Sequence, residues 1–324
     1  MSEFPSPQLV RSPSDVRTAS ANLATAPARA IAIGNFDGVH RGHQAIVHEL
    51  ASHEDCVPTV LTFEPHPRIY FAKLGFGQAP SSLSTLRDRV VALHEAGAAQ
   101  VMLGRFNRTM AELSAQDFIE GLLVARLKAR HVLVGEDFRF GARRQGDLAL
   151  LEREGRRLGF SVHCWPQVTH LGRRVSSSWL REALLAGDLV LAKALLGRPY
   201  RVSGHVIHGQ KLGRSLGFPT INVRVPAGPP SLSGVLVVRV HGLATTALPG
   251  VASWGTRPAV TRNGHPLLEV HVLDWTGDAY GRVVQVDCLH KLRGEANFPS
   301  LDALKDQIAA DTRDAKRWFA TTKE

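Results

Sequence analysis

From Ala30 to about Leu196, short apolar runs alternate with stretches whose apolar residues recur at helical spacing. The runs Ala30–Ile33, Val57–Phe63, Gln100–Leu103, His131–Val134 and Ser161–Trp165 predict buried strands. Between them, Gly42–Ala51, Thr85–Ala96, Ala115–Arg126 and Gly146–Leu158 predict amphipathic helices. Strand and helix in regular alternation build a parallel α/β sheet with right-handed crossovers. Such a sheet binds ligands at the carboxyl ends of its strands, so those ends are where functional residues are sought. Two further helices, Ser177–Ala186 and Leu189–Leu196, are expected to close this part of the chain.

After Gly197-Arg198-Pro199 the texture changes. Arg201–Ile207, Thr220–Val225, Val235–Val240, Leu267–Asp274 and Arg282–Leu289 are β-branched runs separated by Gly and Pro clusters, which predicts an antiparallel barrel or sandwich. Ser300 is placed to cap an amphipathic helix reaching about Phe319. The 324 residues thus divide into a loosely ordered lead-in (1–29), an α/β domain (30–198) and a β domain (199–324). The lead-in has scattered arginines and serines, but Glu3, Asp15 and three prolines argue against a transit peptide, and it has no signal-peptide core. No apolar run is long enough for a membrane-spanning helix. Cys56, Cys164 and Cys288 fit neither a disulfide framework nor a zinc finger, which points to a reducing, cytoplasmic setting. A formal net charge of +10 calls for an anionic partner, nucleic acid being the first suspect.

The densest cluster of chemistry is Gly34-Asn-Phe-Asp-Gly-Val-His-Arg-Gly-His43, directly after a predicted strand and opening a predicted helix. Its glycine spacing fits neither the dinucleotide fingerprint nor the P-loop. Gly34, Gly38 and Gly42 still let backbone N–H groups approach an anion, and the helix N-terminus adds a positive dipole end. His40 and His43, three residues apart, are positioned for the same phosphate. A metal reading lacks the glutamate of H-E-x-x-H and an evident third ligand.

This segment resembles the H-x-G-H nucleotidyltransferases, and more narrowly the adenylyltransferase module of the prokaryotic bifunctional riboflavin kinase/FAD synthetase family. Thr62-Phe-Glu-Pro-His-Pro67, Gly135-Glu-Asp-Phe-Arg-Phe-Gly141 and Val175-Ser-Ser-Ser-Trp-Leu-Arg181 extend the resemblance in the same order along the chain. The resemblance implies a Rossmann-like α/β domain in which His40, His43 and Arg181 stabilise charge as the FMN phosphate attacks the α-phosphate of ATP. It assigns Gly34, Phe36, Asp37, Gly38, Gly42, Ser177 and Ser178 to ATP and its phosphates, and Asp137 and Arg139 to the flavin nucleotide. A phosphate nucleophile is already ionised at neutral pH, so positioning and charge stabilisation suffice. Ser178 stands where the family usually has Thr and keeps the hydroxyl.

In the β domain, the segment from Gly204 to Asn222 carries four glycines with Lys211 and Arg214, a basic loop suited to closing over phosphates. Thr220 and Asn222 are two apart, hence on one face of a strand, and offer the oxygen donors that Mg²⁺ prefers. Glu269 interrupts an apolar strand; the pattern leaves open a catalytic group inside a barrel or a residue facing solvent. Gly213–Asn222, Gly250–Pro258, Leu268–Gly281 and Leu292–Phe298 resemble the riboflavin kinase barrel of the same family, an antiparallel Greek-key barrel with a C-terminal helix. The resemblance implies that Glu269 takes the proton from the riboflavin 5′-hydroxyl, a group that needs a base. It implies that Gly209, Lys211, Gly213 and Gly217 bind ATP, that Thr220 and Asn222 hold Mg²⁺, and that Arg293 and Glu295 border the flavin. Three departures stand out: Ser253 for Asn, Ala259 for Thr and Leu236 for Tyr.

The reading is a bifunctional enzyme that phosphorylates riboflavin to FMN and then adenylates FMN to FAD, using ATP twice with Mg²⁺ and releasing pyrophosphate. Neither nucleic acid nor membrane is expected as a partner. One rival is an H-x-G-H transferase acting on another phosphorylated substrate, with the barrel reduced to a binding module. The other is a nucleic-acid-binding protein, disfavoured by an aromatic content of 6% and by basic residues spread along the chain.

Overall fold

The computed structural model describes residues 9–10, 27–209, 213, 216–225, 231–255 and 267–322. The chain forms two compact units, one of residues 1–80 with 89–175, the other of 81–88 with 176–324.

The first unit is a parallel sheet of β1 (Leu9–Val10), β2 (Arg29–Ile33), β3 (Val57–Glu64), β4 (Gln100–Arg105), β5 (Ala129–Gly135) and β6 (Ser161–Trp165), in the order β1-β4-β3-β2-β5-β6. The expected strands and their parallel sense are all present. A two-residue strand from the lead-in, β1, pairs with Val101–Met102 at the edge of the sheet. A small hairpin of β7 (Thr169–His170) and β8 (Arg173–Arg174) follows. The helices are α1 (Arg41–Glu49), α2 (Pro67–Lys73), α3 (Leu86–Glu95), α4 (Arg108–Glu112), α5 (Ala115–Asp117, widening over Phe118–Arg126) and α6 (Leu148–Leu158); α3 begins in the residues grouped with the second unit. Ile31, Ile33, Leu61, Val132 and Val134 from the strands pack with Ile119, Leu123 and Leu151 from the helices to make the core. Strand order reverses at β2: β3 and β4 lie to one side, β5 and β6 to the other. The loops leaving the carboxyl ends of β2 and β5 therefore part from each other, and that gap is the place for a ligand.

The second unit is a closed antiparallel barrel of β9 (Tyr200–Ile207), β10 (Ile221–Arg224), β11 (Gly234–His241), β12 (Leu248–Trp254), β13 (Leu267–Val272) and β14 (Val283–Arg293). β12 has no clear sequence signal, because Pro249, Gly250 and Ser253 break its apolar run. Leu236, Val238 and Val240 on β11, Ala252 on β12, Leu268 and Val270 on β13, and Val284 and Val286 on β14 are fully buried and fill the inside. Alternate residues face outward. There Val235, Val237 and Val251 pack against Ala315, Trp318 and Phe319 of the terminal helix α9 (Leu301–Thr321). Ser300 caps that helix as expected, accepting from the Ala303 N–H.

α7 (Ser177–Ala186) and α8 (Leu189–Leu196) group with the barrel, so the units divide earlier than the expected boundary at 198/199. The reason is the apolar side of α8: Leu189, Ala192, Leu195 and Leu196 are buried, and the helix packs on β9 and β14. Residues 81–88 join the same unit through polar ties. The Ser203 N–H and hydroxyl both donate to Asp88, and the Ser231 hydroxyl bonds to Ser81 and Ser82.

Among the described residues two ion pairs fasten the outer face, an exposed one between Lys316 and Asp274 and a more covered one between Arg293 and Asp311. The Arg293 guanidinium donates twice to the buried Asp311 carboxylate (2.9 and 2.8 Å), which also accepts from Gln307. Asp311→Ala should therefore cost about 3 kcal/mol, because the largely covered guanidinium loses its anion. A lower denaturant midpoint with unchanged slope is the expected reading.

Candidate functional sites

The loop after β2 is bent in a way that sequence propensity opposes. Phe36 (φ 50°), Gly38 (84°) and Val39 (44°) all lie in the left-handed region, which a β-branched residue such as Val39 rarely adopts. Burial holds it there: Phe36 and Val39 are almost wholly covered, and Thr62 donates to the Asn35 carbonyl at 3.1 Å. Backbone strain of this kind gathers at functional sites. The loop ends at His40, which is buried and caps α1: its Nδ1 accepts from the His43 N–H at 3.3 Å. An accepting Nδ1 leaves the proton of a neutral ring on Nε2. The His40 and His43 rings stack with centroids 3.7 Å apart. Gly42 permits this, since a Cβ there would press the His40 ring at 3.2 Å.

His43 Nδ1 is fully covered and has no hydrogen-bond partner. Burial, then the neighbouring His40, Arg89 and Arg174, push the His43 pKa well below the usual imidazole range. His43 is thus neutral in the unliganded site, within a positive field that favours an anion. No acidic residue occupies the first turn of α1 to offset its dipole.

Arg89 is the residue that reading the sequence missed. Its guanidinium is buried, bonding to the Phe63 carbonyl (3.3 Å) and the Glu64 carboxylate (3.1 Å), with a covered Nε left over. The signal was available: Arg89 lies on the apolar side of α3 beside Val90 and Leu93, where a charge needs a reason. The loop after β5 carries Asp137 and Arg139. Asp137 pairs with Arg174 (3.0 and 3.3 Å), which lowers the carboxyl pKa, whereas Arg139 turns back to the Phe138 carbonyl. Gly34, Phe36, Asp37, Gly38, Gly42, His40 and His43 are thus gathered in one strained loop and the helix start behind it. Ser177, Ser178 and Arg181 lie in the first turns of α7 in the second unit, where Arg181 Nε donates to the Ser81 carbonyl at 2.7 Å.

In the barrel, register decides which residues meet. Asn222 on β10 is directly opposite Glu269 on β13, and Ser253 on β12 is directly opposite Glu269 on its other side. Opposed residues bring their Cβ atoms to about 4.5–5.5 Å. The row continues through Val235 to Arg293. All five face outward, so Glu269 is neither inside the barrel nor simply in solvent. It is half-buried on the outer wall, and burial raises its carboxyl pKa. Asn222 is buried, and its amide rests on Gly209: a Cβ there would lie 2.4 Å from it. A Cβ on Gly213 would meet the Phe218 carbonyl at 2.4 Å and Thr220 Oγ1 at 3.4 Å. Gly217 (φ 89°) turns the chain before Thr220. Arg293 is engaged with Asp311, and Glu295 is exposed just beyond it. Of the three departures, Leu236 is inside the barrel and away from this row, and Ser253 is in it. Lys211 and Ala259 lie outside the described residues.

These two constellations belong to a two-module enzyme: one module gathers His40, His43 and Arg89 at a helix start, and the other sets the half-buried Glu269 carboxylate beside Asn222. Residues 23–179 match the FAD synthetase family model, and residues 196–319 the riboflavin kinase model. A bifunctional riboflavin kinase/FMN adenylyltransferase of Escherichia coli K12 is 44% identical over 93% of this chain and 97% of its own. One from Pseudomonas fluorescens is 45% identical over 88% of this chain and 91% of its own. A solved Streptococcus pneumoniae structure, described as a macrolide-efflux protein, covers 96% of this chain and 98% of its own, with TM-score 0.74 and 28% identity. Among the described residues, no helix is long and apolar enough to cross a membrane. The chain belongs to the bifunctional riboflavin kinase/FMN adenylyltransferase family.

The depressed His43 pKa has a consequence for stability. In the unfolded chain the ring titrates near about 6.5, whereas in the folded protein it resists the proton. The unfolded state therefore gains protons first as pH falls. The stabilisation is complete above that pH and is lost toward the folded pKa, by up to about 1.4 kcal/mol per pH unit. His43→Gln should flatten part of the loss of stability between about pH 7 and pH 5, read from denaturant midpoints.

Proposed function

We propose that the barrel phosphorylates riboflavin to FMN and that the α/β module then transfers an adenylyl group from ATP to FMN, giving FAD and pyrophosphate. The observation that carries this is the separate siting of two chemistries: Glu269 opposite Asn222 within the riboflavin kinase match, and His40 on His43 at the strand-order reversal within the FAD synthetase match.

At the barrel, Glu269 takes the proton from the riboflavin 5′-hydroxyl as oxygen attacks the γ-phosphate of ATP. Burial raises its pKa, which makes the carboxylate a stronger base. Thr220 and the Asn222 amide fit a hard cation, being oxygen donors cradled by glycines at 209 and 213. Mg²⁺ held there would neutralise phosphate charge. Gly209, Lys211, Gly213 and Gly217 bind the ATP phosphates, and Arg293 and Glu295 border the flavin, with Arg293 held in place by Asp311.

At the α/β site the FMN phosphate needs no base. His40 and His43, stacked on each other at the start of α1, stabilise the charge on the α-phosphate. The Gly34–Gly42 loop and the start of α1 offer backbone N–H groups. Asp137 and Arg139 contact the flavin nucleotide. Ser177, Ser178 and Arg181 bind phosphate, a role suited to hydroxyls and a guanidinium at a helix start. We assign residues 30–198 to the adenylyltransferase and 199–324 to the kinase, and place the enzyme in the cytoplasm, in keeping with three free cysteines.

A product assay with riboflavin, ATP and Mg²⁺ separates the two sites. His43→Ala should stop at FMN. Glu269→Gln should slow riboflavin phosphorylation about 10²–10⁴-fold yet still convert supplied FMN to FAD. Equal loss of both activities in both folded variants would overturn the assignment. Arg89→Lys keeps the charge but not the fork that spans Phe63 and Glu64. It should lower FAD formation from FMN about 100-fold and leave FMN formation unchanged.

A further inference from the structure

At the edge of the parallel sheet opposite the His40–His43 loop, three more histidines converge. His53 precedes β3, His131 is near the start of β5, and His163 is on β6. One ring nitrogen from each lies within 4.8 Å of the others, and Asp55 and Cys56 form a second such group with His131. The His53 and His131 rings stack at 4.0 Å, with His163 5.4 Å from His53 and 5.8 Å from His131.

The hydrogen bonds around the cluster sort the nitrogens. Ser161 Oγ is 2.6 Å from His131 Nδ1, 2.9 Å from His163 Nε2 and 3.5 Å from the Arg130 carbonyl. A hydroxyl has one proton and two lone pairs. All three contacts are satisfied together when both imidazoles donate to Ser161 and Ser161 donates to the carbonyl. That arrangement leaves lone pairs on His131 Nε2 and His163 Nδ1. His53 Nε2 is fully covered and has no partner.

We propose that His53, His131 and His163 form a binding site for a late first-row divalent cation of the zinc class, with Ser161 orienting two of the three ligands. Imidazole nitrogens suit these ions, and a hydrogen bond from the non-ligating nitrogen is the usual outer support. Tetrahedral zinc at about 2.05 Å holds its nitrogens about 3.4 Å apart, so the ligands close by up to about 1.4 Å through ring rotation. Asp55 or Cys56 is within reach of His131 for the fourth position; Asp55 would exchange its 2.7 Å pair with Arg130 for the metal. The ion would tie together the starts of β3, β5 and β6 at the edge of the sheet opposite the phosphate chemistry.

The test uses the full chain, stripped with chelator and titrated with Co²⁺ in excess Mg²⁺, which occupies oxygen sites. One equivalent should bring up the visible d–d bands of a four-coordinate nitrogen site. His131→Asn with His163→Gln should abolish them, Ser161→Ala should weaken binding about 10–100-fold, and His43→Gln should leave them intact. Circular dichroism and conversion of FMN to FAD by the His131/His163 variant check that it is folded. Absence of the bands from the parent protein, their survival in that variant, or their loss in His43→Gln would each overturn the proposal.

Discussion

The reversal of strand order at β2 is the constraint on which the first unit's chemistry depends. A parallel sheet built outward in both directions from one strand must send the loops after β2 and β5 apart. The chain fills that place with backbone rather than bulk: Gly34, Gly38 and Gly42 keep the loop thin enough for His40 to turn in and stack on His43. The cost is left-handed geometry at Phe36 and Val39, which the buried contacts around them sustain. Arg89 then brings a guanidinium to the site from a helix, anchored on Glu64 at the end of β3.

The barrel works by the opposite economy. Its described interior is apolar, and the period of two puts Asn222, Glu269 and Ser253 in one row on the outer wall. An exposed carboxylate on a wall would be a weak base. Partial burial makes Glu269 stronger, and α9, clamped to the end of the same row by Arg293 and Asp311, helps to wall off that face. The Arg293–Asp311 pair therefore holds the helix against the face that carries Glu269.

Much of this was legible in the sequence, and the misses have physical causes. Periodicity located all six parallel-sheet segments except the two-residue β1, which is too short to carry a period. It overlooked β12, whose Pro, Gly and Ser disguise a strand that the barrel needs for closure. The inside-or-solvent choice for Glu269 was framed too narrowly: alternation says which residues share a face, but only burial of Leu268 and Val270 shows which face is the core. Arg89 was passed over as one more basic residue in a chain rich in them.

That richness in charge is better understood through His43 than through a count. A nucleic-acid surface needs many exposed cations that titrate little on binding. Here the site holds a histidine kept neutral first by its burial and then by its neighbours His40, Arg89 and Arg174. The +10 of the chain thus says little about specificity; what marks the site is a small set of named residues, with His40 stacked on His43, Arg89 paired to Glu64 and Arg174 paired to Asp137.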